Sequence, residues 1–216
     1  MAKVARLSKT VLSTEHAWEC DECSAAGDFF LKGKERGVCL WCAGLGHLEF
    51  LPCGDATLTR HARKASRMSA VVMQMNLRRM RHERRGILVE PAAVEFAARE
   101  CLADSDFRAS LSDRLAQPQA EATAVIAEHF PGCPPDRAAA IALHAVALSL
   151  RPRRAAPEMD GDAVRAAVEA SVRHVDTDFD ELLMAGVDRE AALTAVGARV
   201  EGVLSAWRDG FAALDA

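Results

Sequence analysis

The feature that most constrains the fold is a set of four cysteines in two C-x-x-C pairs, Cys20/Cys23 and Cys39/Cys42. Zinc takes four ligands in a tetrahedron, and a C-x-x-C turn presents two thiolates to one ion with little strain. A segment of about 40 residues is too short to fold on its own apolar core, so a bound metal would supply the missing stability. The spacing predicts a zinc-ribbon-like module over residues 15–54, with structural zinc held by these thiolates.

A redox dithiol pair and chance packing are the alternatives to a zinc site. A thioredoxin-like motif usually has one C-x-x-C beside a βαβ unit, and that pattern is absent around these pairs. Four thiolates would also fill the metal's coordination shell, which argues against zinc catalysis because no position is left for water. We therefore interpret the cysteines as structural ligands.

The cysteine total and the apolar runs indicate the compartment. The chain of 216 residues has 7 cysteines, an odd number, and its first residues contain no secretory signal. The longest apolar run, residues 138–150, is too short to cross a bilayer. We expect a cytoplasmic protein that does not enter a membrane, with its spaced cysteines used for metal rather than for disulfides.

Charge is distributed unevenly along the chain. Residues 1–90 carry 15 basic and 10 acidic side chains, whereas residues 91–216 carry 12 basic and 21 acidic ones. Within residues 56–86 there are nine Lys and Arg residues, and Glu83 is the one acidic residue. This polarity indicates a basic binding face, although a solvated face or one that docks on the acidic part of the chain is the alternative.

Residues 55–90 read as a basic helix followed by a β-hairpin. Helical spacing over TLTRHARKAS puts four cations on one face and Leu58, Ala62 and Ala65 on the other. SAVVMQMN and ILVE have the composition of strands. Arginine forks suit phosphate oxygens, so we predict phosphate contacts along this segment. The candidate contacts are Arg60, Arg63, Lys64, Arg67, Arg78, Arg79, Arg81, Arg84 and Arg85.

Residues 91–216 read as a helical domain, with a linker near residues 151–161. Pro91 and Pro118 suit helix starts, and Asp188 suits the cap of a last helix with a valine-rich apolar stripe. The whole chain is thus predicted to be α+β and mostly α: a small β module, a short basic α/β segment and a helical domain.

One acidic cluster gives a second functional hypothesis. The stretch RHVDTDFDELL offers His174, Asp178 and Asp180, which could hold a divalent ion for phosphodiester cleavage. Helix capping alone also concentrates Asp and Thr between two helices. These three residues are therefore weak catalytic candidates.

Four stretches resemble the bacterial family called domain of unknown function 2293. They are FLPCGDATLTRHARKAS, ERRGILVE, FPGCPPDRAAAIALHA and SVRHVDTDFDELLMAGVDREAA, within roughly residues 39–208. The most specific part is the VRH-x-x-T-x-(Y/F)-D-x-LL pattern, in which Phe179 is the aromatic residue. The resemblance implies the domain layout and no particular chemistry.

Together these features predict a non-catalytic, zinc-containing nucleic-acid-binding protein. Residues 51–95 contain no Phe, Trp or Tyr, so a stacking platform for single strands is not expected there. The expected partner is duplex DNA or structured RNA contacted through phosphates. A metal-dependent nuclease and a protein-interaction adaptor with a protein partner are the alternatives.

Overall fold

The computed structural model of the chain describes residues 8–14, 18–32, 37–111, 113–149 and 161–212. The chain divides after Glu90 into two compact units. The predicted linker near residues 151–161 lies outside the described residues except for Gly161, where a helix begins.

The N-terminal unit is built on one six-stranded mixed sheet. Its strands are β1 Ser8–Ser13, β2 Phe29–Leu31, β3 Val38–Cys39, β4 Glu49–Pro52, β5 Ser69–Asn76 and β6 Arg81–Val89. Their spatial order is β3-β2-β1-β5-β6-β4. Strands β1 and β5 run parallel, and every other neighbouring pair is antiparallel. The cysteine-bearing hairpin β2–β3 and the basic hairpin β5–β6 therefore belong to one sheet, joined through β1.

The sheet's core follows from alternation along its strands. Ala70 and Val72 of β5 are buried on one face, and Val11 of β1 packs in the same cluster with Phe50 and Leu88. Period-two alternation puts such side chains on the same side of a sheet. The apolar pattern of SAVVMQMN thus explains why β5 lies inside the sheet rather than at its edge.

Among the described residues of the N-terminal unit there is one helix, α1, which spans Ala56–Ala65 and contacts β6. Asp55 caps it, because its Oδ1 accepts a 2.8 Å hydrogen bond from the Leu58 backbone N–H. Leu58 and Ala62 are buried as the spacing predicts, whereas Ala65 is exposed. The helix ends one residue before Ser66.

A β-bulge interrupts the β5–β6 pairing. Val72 pairs with Gly86 but Met73 pairs with Arg84, so Arg85 is the extra residue. Gly86 is needed here because a Cβ on it would lie 2.2 Å from the Leu51 carbonyl oxygen. A bulge redirects the side chains that flank it. The extra residue thus shifts the side-chain alternation of β6 on one side of Arg85 relative to the other.

The C-terminal unit is helical in its described part. Its helices are α2 Pro91–Ala103, α3 Ser105–Ser110, α4 Asp113–His129, α5 Pro135–Ser149, α6 Gly161–Val175, α7 Phe179–Met184 and α8 Arg189–Arg208. With the six-stranded sheet, these helices confirm the predicted α+β, mostly α class. Pro118 lies inside α4 rather than at its start, which corrects the predicted boundary.

Helix α8 packs against α6 and α7 in the helical unit. The predicted stripe of α8 is buried, with Trp207 2% exposed, and α6 contributes Val164, Val168 and Val172 to the same cluster. Asp188 caps α8 through the backbone N–H of Glu190. In the part of the chain that the structure describes, no helix has the length and apolarity needed to cross a membrane.

Candidate metal centre and cationic cleft

The four cysteines predicted as ligands come together. The Sγ atoms of Cys20, Cys23, Cys39 and Cys42 all lie within 4.8 Å of one another. They form the one cluster of three or more His, Cys, Asp or Glu ligands with such spacing among the described residues. Cys20 and Cys39 are buried, whereas Cys23 is exposed and Cys42 is half-buried. This group can hold a metal ion at the surface of the N-terminal unit.

Two tight turns present the sulfur atoms. In the first turn the Ser24 N–H donates to the Cys20 carbonyl at 3.0 Å, and Ser24 takes a positive φ of 58°. The Cys20 Sγ accepts hydrogen bonds from the backbone N–H of Cys39 at 3.2 Å and of Glu22 at 3.4 Å. In the second turn the Cys42 N–H donates to the Cys39 Sγ at 3.3 Å. Backbone donors of this kind stabilise a thiolate over a thiol.

The sulfur environment suits a cation. The backbone N–H of Cys39 lowers the pKa of Cys20 to about 6. Burial raises the pKa of Cys39, and the hydrogen bond that the Cys42 thiol donates to Cys23 raises the pKa of Cys42. Without a metal, four adjacent sulfur atoms therefore share protons, and a metal ion would replace those protons. A tetrahedral set of four thiolates fits zinc or iron.

Side chains next to the cluster fix the two turns. The Asp21 carboxylate accepts a 3.0 Å hydrogen bond from the Gly37 N–H, and the Asp21 N–H donates to the Gly37 carbonyl at 2.9 Å. Trp41 lies within the second turn and covers Gly46, where a Cβ would lie 2.2 Å from the indole. These contacts tie the first turn to β3 and the second turn to the chain entering β4.

Four of the predicted cations line one cleft. Arg60, Arg63 and Lys64 share the face of α1 that also carries Thr59, and Arg84 of β6 lies across from them. The cleft has a volume of about 630 Å³. The one acidic group that lines it is Asp55, whose carboxylate accepts the capping hydrogen bond of α1. The cleft is therefore strongly positive. The cationic face that helical spacing predicts for α1 forms one side of it.

Two neighbouring arginines that were predicted as phosphate contacts line different clefts. Arg84 lines the cationic cleft, whereas Arg85 and Arg78 line a second cleft of about 420 Å³ beside Gln74 and Asn76. Arg84 pairs with Met73 of β5, whereas Arg85 is the extra residue of the bulge. The predicted continuous arginine surface is thus divided between two clefts.

Three further predicted cations, Arg67, Arg79 and Arg81, have acidic partners. Arg67 lies beyond the end of α1, so it does not share the helix face as predicted, and its Nε lies 3.1 Å from Glu90. Arg79 and Arg81 both pair with Glu83, at 3.1 Å and 3.4 Å. A hydrogen bond from Asn76, and then those from Arg79, hold the pKa of Glu83 below its usual value. Glu83 thus offsets part of the positive charge of the hairpin.

The predicted catalytic candidates His174, Asp178 and Asp180 do not come together as a set of metal ligands. His174 Nδ1 lies 2.7 Å from Asp180 Oδ1, and both side chains are largely buried. Asp178 is the cap residue of α7 but makes no side-chain capping hydrogen bond. The three residues do not meet the spacing of a metal cluster, unlike the cysteines in the same described part of the chain. Geometry thus favours a packing role for the His174–Asp180 pair, whose histidine also contacts the edge of Phe179.

The helical unit contains a buried polar network that the sequence patterns did not predict. Arg137 of α5 donates from Nε to Glu95 at 3.0 Å and from Nη1 to Asp176 at 2.7 Å. Ser171 bridges the same groups, since it accepts from Arg137 and donates to Glu95. Glu95 is 2% exposed and Arg137 is 8% exposed. The sequence feature that could have indicated this network is Glu95, a carboxylate inside the apolar helix sequence AAVEFAA.

Comparison with known families confirms the resemblance over part of the chain. Residues 125–208 match the family described as "Uncharacterized conserved protein (DUF2293)". The match begins in α4 and ends with α8, so it covers Arg137 and the His174–Asp180 pair but neither the cysteines nor the cationic cleft. Comparison with curated proteins and with solved structures found no match.

Proposed function

We propose that this protein is a non-catalytic nucleic-acid-binding protein whose N-terminal unit is stabilised by structural zinc. The observation that supports it most is the convergence of Arg60, Arg63, Lys64 and Arg84 on one cleft. The expected partner is duplex DNA or structured RNA, contacted through its phosphates. The cysteine cluster would hold the sheet that carries the cleft.

The donor set supports zinc in a structural role. Four sulfur ligands fill a tetrahedral shell, and structural zinc sites are closed in this way. The first cysteine turn precedes β2, and the second follows β3 and leads towards β4, which pairs with β6. A metal here would therefore stabilise the strands on which the cleft depends.

The charge arrangement supports phosphate as the ligand. Arginine guanidinium groups bind phosphate oxygens through paired N–H donors. The single lining carboxylate, Asp55, is engaged by the Leu58 N–H, so it competes weakly for these cations. Because residues 51–95 contain no aromatic side chain, the cleft suits a phosphate backbone better than unstacked bases.

Replacing cleft arginines should weaken binding and flatten its salt dependence. In an Arg60→Ala/Arg63→Ala/Arg84→Ala protein, the slope of log affinity against log salt should become less negative by about 0.9 per lost phosphate contact. Each lost contact should cost about 1 kcal/mol of binding free energy, so affinity of the triple variant should fall on the order of a hundredfold. Fluorescence anisotropy with duplex DNA, single-stranded DNA and structured RNA, titrated with salt, measures both quantities.

The matched control removes three exposed arginines of the helical unit, as Arg165→Ala/Arg189→Ala/Arg199→Ala. It changes net charge equally and should leave affinity nearly unchanged. Equal losses in both variants would show that net charge alone drives binding. Absence of binding by the zinc-loaded protein at low salt would remove the proposal and direct attention to a protein partner, which pull-down would identify.

A further inference from the structure

The β5–β6 hairpin continues beyond the strands on either side of it. Pairing with β1 ends at Gln74, and pairing with β4 ends at Gly86. Past these positions, Met75 pairs with His82 and Asn76 with Arg81, with no further strand alongside in the described chain. The hairpin therefore ends in a two-stranded arm.

The tip of this arm exposes large apolar side chains. Leu77 is 69% exposed and Met80 is 72% exposed, the two highest values among the large apolar residues described. Both belong to the four-residue connection between β5 and β6. Burial in the core does not explain them, and two large apolar side chains exposed on one four-residue turn suit a contact surface.

The tip is held in shape by its own hydrogen bonds. Asn76 Oδ1 accepts from the backbone N–H of Arg78 and of Arg79, each at 3.1 Å. The Asn76 amide donates to Glu83 at 2.9 Å, and Arg79 also donates to Glu83. Met80 takes a positive φ of 48°. A loop ordered before binding loses little conformational entropy when it binds.

Three arginines flank these apolar groups in the chain, and two of them, Arg79 and Arg81, pair with Glu83. Arg78 and Arg79 lie between Leu77 and Met80 in the chain, and Arg81 follows them. Such a tip complements a polyanion whose interior is apolar. Duplex DNA meets this description, because its phosphates flank a groove in which Leu or Met side chains can enter between base steps. A-form RNA fits less well, since its major groove is deep and narrow and its minor groove shallow.

We infer that the β5–β6 tip is a wedge that inserts Leu77 and Met80 between base steps of duplex DNA and bends the duplex. The inference rests on the proposed function and narrows its partner to DNA. In this arrangement Arg78 and Arg85, which line the second cleft together with Leu77, supply phosphate contacts beside the wedge while it unstacks a base step. Pyrimidine–purine steps such as TA unstack most easily, so they are the preferred points of entry.

The test uses the full-length, zinc-loaded protein and a duplex with 2-aminopurine at a central TA step and a donor and acceptor dye at its ends. The wild-type protein should raise 2-aminopurine fluorescence and energy transfer between the dyes. A Leu77→Ala/Met80→Ala protein should bind with an unchanged salt slope and lose both signals. The matched control, Phe96→Ala/Met184→Ala, removes two exposed apolar side chains of the helical unit and should behave as wild type.

Anisotropy on the same duplex separates failure of this inference from failure of the proposed function. Binding without a rise in either signal, or signals retained in Leu77→Ala/Met80→Ala, would overturn the wedge and leave the phosphate-binding cleft standing. No binding to any nucleic acid would overturn both. Binding to vesicles of phosphatidylcholine with phosphatidylserine that depends on Leu77 and Met80, with DNA signals unaffected by the same changes, would also overturn it in favour of a membrane contact.

Discussion

A Cys39→Ser protein is expected to lose its metal and to unfold in its N-terminal unit. Cys39 is buried, lies in β3 and accepts the Cys42 N–H, so its loss removes both a ligand and a fixed point of the second turn. Structural zinc contributes about 10–16 kcal/mol in apparent terms, as much as the about 5–15 kcal/mol by which a typical domain is stable. Metal content by inductively coupled plasma mass spectrometry and hydrogen exchange of residues 8–90 would measure the two effects.

The control for this experiment is Cys53→Ser. Cys53 is exposed, belongs to the same unit and lies outside the cluster. This variant should keep one metal ion per chain and its exchange protection. Because Cys23 is exposed, a chelator should also reach the wild-type site and reproduce the Cys39→Ser result. A metal-free wild-type protein with unchanged protection would show that the sheet is stable without the ion.

The second large effect is expected from Arg137→Ala in the helical unit. Removing this side chain leaves Glu95, 2% exposed, with the more exposed Arg99 at 3.4 Å as a cationic partner, and leaves Asp176 without a bidentate partner. Breaking one side of a buried ion pair costs about 3–5 kcal/mol, because a desolvated charge remains. The loss of contact with the Trp207 ring, 4.9 Å from the guanidinium carbon, adds to it. Urea unfolding followed by tryptophan fluorescence would give the change in free energy of unfolding.

Arg208→Ala is the matched control for Arg137→Ala. Arg208 pairs with Glu201 at 2.9 Å, but both side chains are well exposed. Exposed pairs contribute at most about 1 kcal/mol, so the unfolding midpoint should hardly move. A loss below about 1 kcal/mol in Arg137→Ala as well would mean that water or a rearranged side chain compensates Glu95.

The features predicted correctly from the sequence depend on short-range spacing. Two C-x-x-C turns and the repeat of Leu58 and Ala62 along α1 are local patterns, and the structure places them as the spacing implies. The β5–β6 hairpin likewise follows from adjacent strands. Local periodicity specifies which residues share a face, independently of the rest of the chain.

The features that were missed depend on contacts between distant residues. Strand β1 pairs with β5, and nothing near Thr10 and Val11 identifies so remote a partner. The ion pairs of Arg67 with Glu90 and of Arg79 with Glu83 arise from strand pairing and turn geometry. The bulge at Arg85 shifts the β5–β6 pairing by one residue, and the alternation of apolar and polar residues does not predict this shift. Arginines that look equivalent in the sequence therefore differ in the structure. Some line the cationic cleft, whereas others pair with a glutamate.

The position of β1 has a consequence for the order of events during synthesis. β1 occupies the middle of the sheet, yet its partner β5 is translated only after both cysteine pairs and α1. A nascent chain that has reached Cys42 holds all four thiols while β1 still lacks half of its neighbours. All four candidate ligands are thus present in the growing chain before the strand that completes the middle of the sheet.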